Sequence, residues 1–412
     1  METTPQRGKR RFAMVTPNFY PRVCGVGDFT VRFSVELRRR GHDVAIFSRH
    51  PVEPHPEALD LEAHGVAGKL PTAIARNAMK AIAAWEPTDL VIQYTPQMWD
   101  AWRFGSPATL LLAQWARRRG VRVELVAHEL FLSYAPRPDL VVAASTLRLQ
   151  LAALILSCDD VFVTTCTRAD MIRTSCRLLG RPAPRVVRVG ANALPVARPV
   201  TSGPLVAPRL GIFSTAAAGK RFDVVLDAFT EIVRVFPEAH LVLIGYLGSS
   251  DQPRVRQILA DVARHPAKDR ITVTGGLSLP DVARQMARLD VNLFPMETGA
   301  NTRSSTLPAA LGAGVPVVAV RAEETDLDLF RDGENIVFAR DMSGRAFAAA
   351  ALDLLRDPAR MAAIGAGGRR LFAEHLSWER VVDQFLEPVA ASSRDLTGTV
   401  ESGTTSHRRS AL

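Results

Sequence analysis

Cysteine is scarce. Cys24, Cys158, Cys166 and Cys176 are the only four in 412 residues, and none forms a C-x-x-C pair. This excludes a disulfide framework and reads the thiols as small buried hydrophobes, with Cys24 alone beside a candidate ligand loop. No cluster of His and Asp suggests a metal. No apolar run reads as the roughly 20 residues needed to span a bilayer. The basic start METTPQRGKRR is not followed by the apolar stretch and small-residue cleavage site of a signal peptide, so the expected location is cytoplasmic. There is also no clustered basic face with a nucleic-acid reading motif, and no nucleic acid is expected as a partner. A net charge of +9 and a pI near 9.9 leave room for an anionic ligand or a weak association with an anionic membrane surface.

The composition, 47% hydrophobic and 23% charged, is that of a globular chain, and the length favours two domains. Short apolar runs alternate with longer helical segments, the pattern of parallel α/β architecture. Strands are expected in RFAMVTPN, DVAIFSR, DLVIQY, RVELVAH, DVFVTT and RVVRVG of the first half, and in LGIFST, HLVLIG, ITVTGG, VNLFPM, VPVVAV and NIVFAR of the second. Each is a near-continuous Val/Ile/Leu run, as in strands covered on both faces. The Pro-rich segment 194–209 (LPVARPVTSGPLVAPR) cannot be a helix or a central strand and reads as a linker. The expected organisation is two facing Rossmann-like domains, 1–195 and 210–375, joined by a linker at 196–209. An amphipathic helix follows at 376–390, and a small, polar, disordered tail at 391–412. In open α/β sheets ligands bind beyond the carboxyl ends of the strands, so the inter-domain cleft is the expected site.

Four loops qualify. After the first strand, Gly25 and Gly27 flank Val26, with Asp28 expected to open a helix that Gly41 ends; glycines there let backbone N–H groups approach a ligand, although a plain turn capped by Asp28 fits as well. His128 and Glu129 follow the strand RVELVA, where an imidazole can bind a sugar hydroxyl or simply line the rim. Gln93 and Tyr94 end the neighbouring strand and are expected to face the same space. Trp99 and Trp102 form either an aromatic platform for an acceptor sugar or part of the core. In the second half, GIFSTAAAGKRFD places small residues, including Ser214, before Lys220 at a helix N-terminus, a natural diphosphate cradle. The stretch 294–320 gathers Glu297, Gly299, Asn301, Arg303, Ser304, Ser305 and Thr306 before a helix, which describes an anion site; Ser305 and Thr306 serve equally as ordinary caps.

The ordered set of segments resembles the GT-B glycosyltransferases, especially family 4 of that classification. The resemblance covers residues 12–390. It rests on PNFYPRVCGVGDFT, ELRRRGHDVAIFS, VAHE and VGANAL in the first half. In the second half it rests on GIFST…GKRFDVVLDAF, HLVLIG, ITVTGGLSLPDVARQMARLDVNLFP, LGAGVPVVAV, DGENIVF and LSWERVVDQF. It implies that Gly25 and Gly27 lie near donor phosphates and acceptor, that His128 lies near the transferred sugar, that Lys220 holds the diphosphate, and that Gly314 and Pro316 are structural. It also implies that the terminal helix crosses back to the first domain. The family usually carries two glutamates eight residues apart; counting back from Pro316, Asn301 and Ala309 stand there. The arginine that normally precedes the diphosphate lysine is replaced by Ser214, Thr215 and Ala216. Arg303, in G-A-N-T-R-S-S, is expected to supply the lost positive charge.

The resemblance therefore implies a nucleotide-sugar donor on the second domain, held by Lys220 and Arg303 together with Ser214, Glu297, Gly299, Ser304, Ser305 and Thr306. Asp28, Gln93, Tyr94, Trp99 and Glu129 are the acceptor-side candidates. It implies retention at the anomeric carbon, with the leaving phosphate taking the acceptor proton, and neither metal nor cofactor. Three other readings stay open at this level: another GT-B enzyme such as a nucleotide-sugar epimerase or a phosphorylase, a non-catalytic nucleotide-sugar binder, and a membrane-surface scaffold.

Overall fold

The structure, a computed structural model, describes residues 8–387 except 23, 67, 69, 100–104, 106, 133, 197 and 199–204. The tail expected from 391 onward, Trp102 and much of the Pro-rich linker lie outside the described residues. In the first half the strands are β1 (Arg11–Thr16), β2 (Asp43–Ser48), β3 (Glu62–Gly65), β4 (Asp89–Tyr94), β5 (Arg122–Ala127), β6 (Asp160–Val163) and β7 (Arg185–Val186). The helices are α1 (Gly25–Arg39), α2 (Pro71–Trp85), α3 (Pro96–Trp99), α4 (Pro107–Arg118), α5 (Pro138–Ser157) and α6 (Cys166–Leu178). The seven strands form one parallel sheet in the order β3-β2-β1-β4-β5-β6-β7.

The second half repeats the plan. Its strands are β8 (Arg209–Phe213), β9 (His240–Ile244), β10 (Ile271–Val273), β11 (Val291–Phe294), β12 (Val317–Val320) and β13 (Val337–Ala339). Its helices are α7 (Phe222–Val235), α8 (Pro253–Arg264), α9 (Leu279–Ala287), α10 (Thr306–Gly312), α11 (Gly344–Arg356), α12 (Pro358–Leu371) and α13 (Trp378–Leu386). A six-stranded parallel sheet runs β10-β9-β8-β11-β12-β13. In both sheets the order reverses beside the first strand of the domain, the switch point where α/β folds open a crevice.

The central strands are buried end to end, as their unbroken apolar runs require. The strand missing from the sequence reading is β3, EAHG. It sits at the sheet edge, half exposed, so it needs no apolar run. Helix α1 begins at Gly25, with Cys24 as its cap, rather than at Asp28. It ends as expected before Gly41, whose φ of 86° suits glycine.

Helix α13 packs on the first domain. Trp378, Val381, Val382 and Phe385 enter the cluster of Phe12, Phe29, Phe33 and Phe162; Phe385 meets Phe33 and Phe162 at 5.0 and 4.9 Å between ring centroids. Burying four such side chains contributes roughly 2 kcal/mol each. Trp378 also donates from Nε1 to the carbonyl of Ala191 at 2.7 Å.

One expectation about length fails. Helix α5 has 20 residues and a mean hydropathy of 1.8 in its most apolar stretch, 39% of which is buried, so by length and composition it is able to cross a membrane. Arg148 is the one charged residue between positions 140 and 157. In the fold that guanidinium lies over the rings of Phe131 and Tyr134, so the charge does not divide the helix surface.

Candidate active site at the domain cleft

The carboxyl ends of β4, β5 and β6 face the loop that follows β11. His128 and Glu129 leave β5 at this edge. Burial lowers the His128 imidazole to about pKa 4, against the opposing charge of Glu129, so the ring is neutral near pH 7. Its Nε2 lies 2.6 Å from Gln93 Oε1 and therefore carries the hydrogen. The Phe29 ring meets it edge-on at 4.8 Å, which brings the start of α1 against the histidine. In that first turn Gly27 touches the carbonyl of Asn18, where an added Cβ would come within 3.0 Å, while Gly25 is open. Asp28 follows, its carboxyl raised to about pKa 6 by burial in spite of Arg32.

Two acceptor-side expectations are corrected. Tyr94 is fully buried and belongs to the core cluster under α2 and α4, because neighbouring residues of a strand point to opposite faces; Gln93 points the other way, to His128, but is fully buried as well. Trp99 is also fully buried, with Nε1 donating 3.1 Å to the carbonyl of Gln93, so its ring offers no face to a sugar.

On the second domain the two loops flanking the switch point are joined. Lys220 forms an isolated bridge with Met296, and Glu297 donates its N–H to the carbonyl of Gly219 at 2.8 Å. Lys220 lines a small cavity with Ile212, Ser214, Phe294 and Pro295, and burial lowers its amine to about pKa 8. Ser214 is buried, its Oγ donating to the carbonyl of Thr215 at 2.7 Å. The Glu297 carboxylate stands 3.7 Å from Arg221. Gly299 has φ 89°, and a Cβ there would strike Thr325 Oγ1, so the loop requires glycine. Ser304 Oγ and Thr306 Oγ1 lie 2.9 Å apart. Ser305 caps α10 without a side-chain hydrogen bond.

Arg303 joins the two groups. It donates 2.6 Å to Glu324 of its own domain and 3.1 Å to Glu129 of the other. Glu129 is held in turn by Arg168 at 2.9 Å, and Arg168 also donates to the His128 carbonyl. Burial opposes ionisation of Glu129, but Arg168 and Arg303 outweigh it and hold the carboxyl below its ordinary range. The expected phosphate ligand is thus already engaged by two carboxylates, and an anion must displace at least one of them.

A second link lies alongside. Arg188 of the first domain pairs with Asp328 and lies 3.6 Å from Asp326. Thr302 Oγ1 is 2.8 Å from Asp326 Oδ2 and 3.2 Å from the carbonyl of Thr164. Gln93 Nε2, Thr95 Oγ1 and Thr164 Oγ1 are buried at the strand ends with no partner among the described residues. The sequence reading passed over Arg168, Arg188, Glu324 and Asp326. The cap Thr165 marks the helix that begins just before Arg168, but nothing local in the sequence names the partner across the cleft.

The positions where the family glutamates usually stand are both buried. Asn301 donates from Nδ2 to Thr298 Oγ1 and to the carbonyl of Gly299, at 3.1 and 3.2 Å; Ala309 is packed in the core. A cavity of about 270 Å³ lined by Asp328, Arg331, Glu334, Arg370 and His375 contains none of the residues expected to bind donor or acceptor. Among the described residues no three His, Cys, Asp or Glu side chains converge as a metal site.

Residues 207–357 match the family described as glycosyl transferases group 1. The match lies within the second domain and covers less than half of the chain. Over its length the chain shares the GT-B fold with solved structures. Sucrose-phosphate synthase of Thermosynechococcus elongatus aligns at 18% identity with a TM-score of 0.68, covering 92% of this chain and 97% of that one. HepE of Anabaena, solved with UDP and glucose, aligns at 14% identity and TM-score 0.67, covering 91% and 98%. A putative UDP-N-acetylglucosamine 2-epimerase of Listeria monocytogenes aligns at 14% and 0.59, covering 92% and 95%. No curated protein matches the chain by sequence. At these identities the structural likeness establishes the fold.

Proposed function

We propose that the protein transfers a glycosyl group from a nucleoside-diphosphate sugar, bound on the second domain, to an acceptor bound on the first. The observation that carries this reading is the contact of Arg303 on the second domain with Glu129, which follows His128, on the first, together with Lys220 in the loop that bridges to Met296 on the same domain as Arg303. Two cations beside a switch-point loop suit a diphosphate leaving group, whose developing charge they stabilise. The desolvated Lys220 amine gains from an anionic partner, and Arg303 exchanges a carboxylate for a phosphate. Neutral His128 offers a hydrogen-bonding face to a sugar hydroxyl rather than a charge. Retention at the anomeric carbon, the departing phosphate accepting the acceptor's proton, is the course that the resemblance to family 4 implies, with no step assigned to a metal. Solved relatives of the fold that hold UDP or UDP-glucose support a nucleotide donor.

Asn301 and Ala309, buried where acids usually stand, favour a second reading: a nucleotide-sugar binder without turnover. Thermal shift with a panel of nucleoside diphosphates and their sugars, on wild type and Arg303→Ala, addresses donor binding. A ligand at 100 times its Kd adds about 2.7 kcal/mol of stability. Stabilisation of wild type and not of Arg303→Ala is the expected result; no stabilisation by any member of the panel sinks the donor site. Release of the nucleoside diphosphate from the nucleotide sugar so identified, followed with candidate acceptors, separates transfer from binding alone.

A further inference from the structure

Helix α5 presents a face to solvent that carries no charge. Between residues 140 and 157 Arg148 alone is charged, and its guanidinium rests 4.0 and 4.1 Å from the ring centroids of Phe131 and Tyr134. Leu151, Leu154 and Ile155 enter the first domain's core. The helical repeat puts Val142, Ser145, Leu149, Ala152 and Leu156 on the opposite side, a stripe roughly 21 Å long at 1.5 Å per residue. Leu149 is 73% exposed and Val142 55%. A helix on the surface of a monomer normally shows charged residues there, and a continuous apolar stripe marks an interaction site.

The surroundings are basic. Arg117 and Arg118 end α4 and Arg119 follows it, all three exposed. Arg117 donates 2.6 Å to the carbonyl of Leu156, which sets the triad at the carboxyl end of the stripe. Next along the chain, α6 shows Met171 and Leu178 to solvent together with Arg173 and Arg177, although Arg173 is paired with Asp170. The charge of the whole chain is divided the same way. Residues 1–190 hold 26 Lys and Arg against 17 Asp and Glu, whereas residues 191–412 hold 25 of each. The entire surplus of +9 therefore lies in the half that carries α5.

We propose that the first domain docks on an anionic lipid bilayer, with the outer face of α5 in the boundary between headgroups and acyl chains and Arg117, Arg118 and Arg119 on lipid phosphates. The competing occupant is a second copy of this chain, since Val142, Leu149 and Leu156 repeat at a heptad spacing. The charge division favours the membrane: a two-fold contact through α5 would bring two strongly positive domains together, whereas an anionic surface neutralises them. The docking goes beyond sugar transfer and does not depend on it.

Vesicle co-sedimentation tests the proposal with the full chain. It is expected to sediment with vesicles of phosphatidylcholine and phosphatidylglycerol, far less with phosphatidylcholine alone, and less at high salt. The double variant Leu149→Glu/Leu156→Glu, and separately Arg118→Glu/Arg119→Glu, are each expected to lower the bound-to-free ratio roughly tenfold or more. All four positions are exposed, and an unchanged melting temperature shows that the fold is retained. Absence of sedimentation with the anionic vesicles overturns the proposal, as does sedimentation that Leu149→Glu/Leu156→Glu leaves untouched. So does a dimer, seen by sedimentation equilibrium, that this variant splits in the absence of any vesicle binding.

Discussion

Arg303 of the second domain donates across the cleft to Glu129 of the first at 3.1 Å, while its other nitrogen holds Glu324 at 2.6 Å. An incoming diphosphate competes with both carboxylates. Removing one of them lowers the cost of that exchange, whereas removing the arginine removes the site. Glu324→Gln is therefore expected to tighten nucleoside diphosphate binding severalfold, and Arg303→Ala to weaken it tenfold or more, from the roughly 1.5–3 kcal/mol of a hydrogen bond to a charged group. Isothermal titration of the two variants measures both. Equal affinity in wild type and Arg303→Ala would place the anion elsewhere.

In the proposed donor site Lys220 confers sensitivity to alkali. Burial brings its amine to about pKa 8, so the free protein loses this cation as pH rises through 8. A bound diphosphate favours the charged form and raises that value again. Binding near pH 8.5 is therefore expected to take up a proton, read as a dependence of the titration enthalpy on the ionisation enthalpy of the buffer. Lys220→Met abolishes the uptake and weakens binding. Lys220→Arg keeps its charge at every pH and flattens the profile.

His128 and Asp28 act oppositely on acid stability. His128 has a folded pKa of about 4 against an ordinary 6.5, so between those values the unfolded chain binds the proton and stability falls as pH drops from 6.5 towards 4, by at most about 3 kcal/mol. Asp28, at about 6 against an ordinary 3.8, keeps its proton longer in the fold, and stability falls as pH rises from 3.8 through 6. Melting curves between pH 4.5 and 8 are expected to show His128→Gln losing less stability on acidification than wild type. Asp28→Asn is expected to gain most at pH 7.5, where wild type carries a buried carboxylate. A titrating His128 ring signal above pH 5.5 by NMR contradicts the first assignment.

Strands and their order of succession were legible because a parallel strand buried on both faces has to be an apolar run; β3 escaped because an edge strand does not. The loops that converge at the cleft were legible for the same topological reason, since carboxyl ends of strands in both domains meet there. Pairing across the cleft was not. Glu129 and Arg303 are 174 residues apart, and no local pattern names one from the other. The assignments of Tyr94 and Trp99 went astray on side-chain direction. Position at a strand end marks the cleft, but the alternation of faces decides which residue enters it, and an aromatic beside a cleft is more economically buried than exposed.

The return of the chain to the first domain has its own weak point. Gly190 packs against Trp378: an added Cβ would come within 2.9 Å of the indole ring and 3.1 Å of the Leu376 carbonyl. The indole is in turn fixed by its hydrogen bond to Ala191 and by edge contact with Phe29 at 5.2 Å. Phe29 bears on His128 at 4.8 Å, so the crossing helix buttresses the cleft histidine through one intervening ring. Trp378→Ala is expected to cost about 3–5 kcal/mol, the range for emptying a buried aromatic site. Gly190→Ala is also expected to destabilise, because its Cβ forces the held indole or the Leu376 backbone to move. Chemical denaturation followed by tryptophan fluorescence and by far-UV circular dichroism reads both. If α13 couples the domains, Trp378→Ala separates one unfolding transition into two. A single transition with only a lower midpoint means that the cleft contacts of Arg303, Arg188 and Thr302 hold the domains together without it.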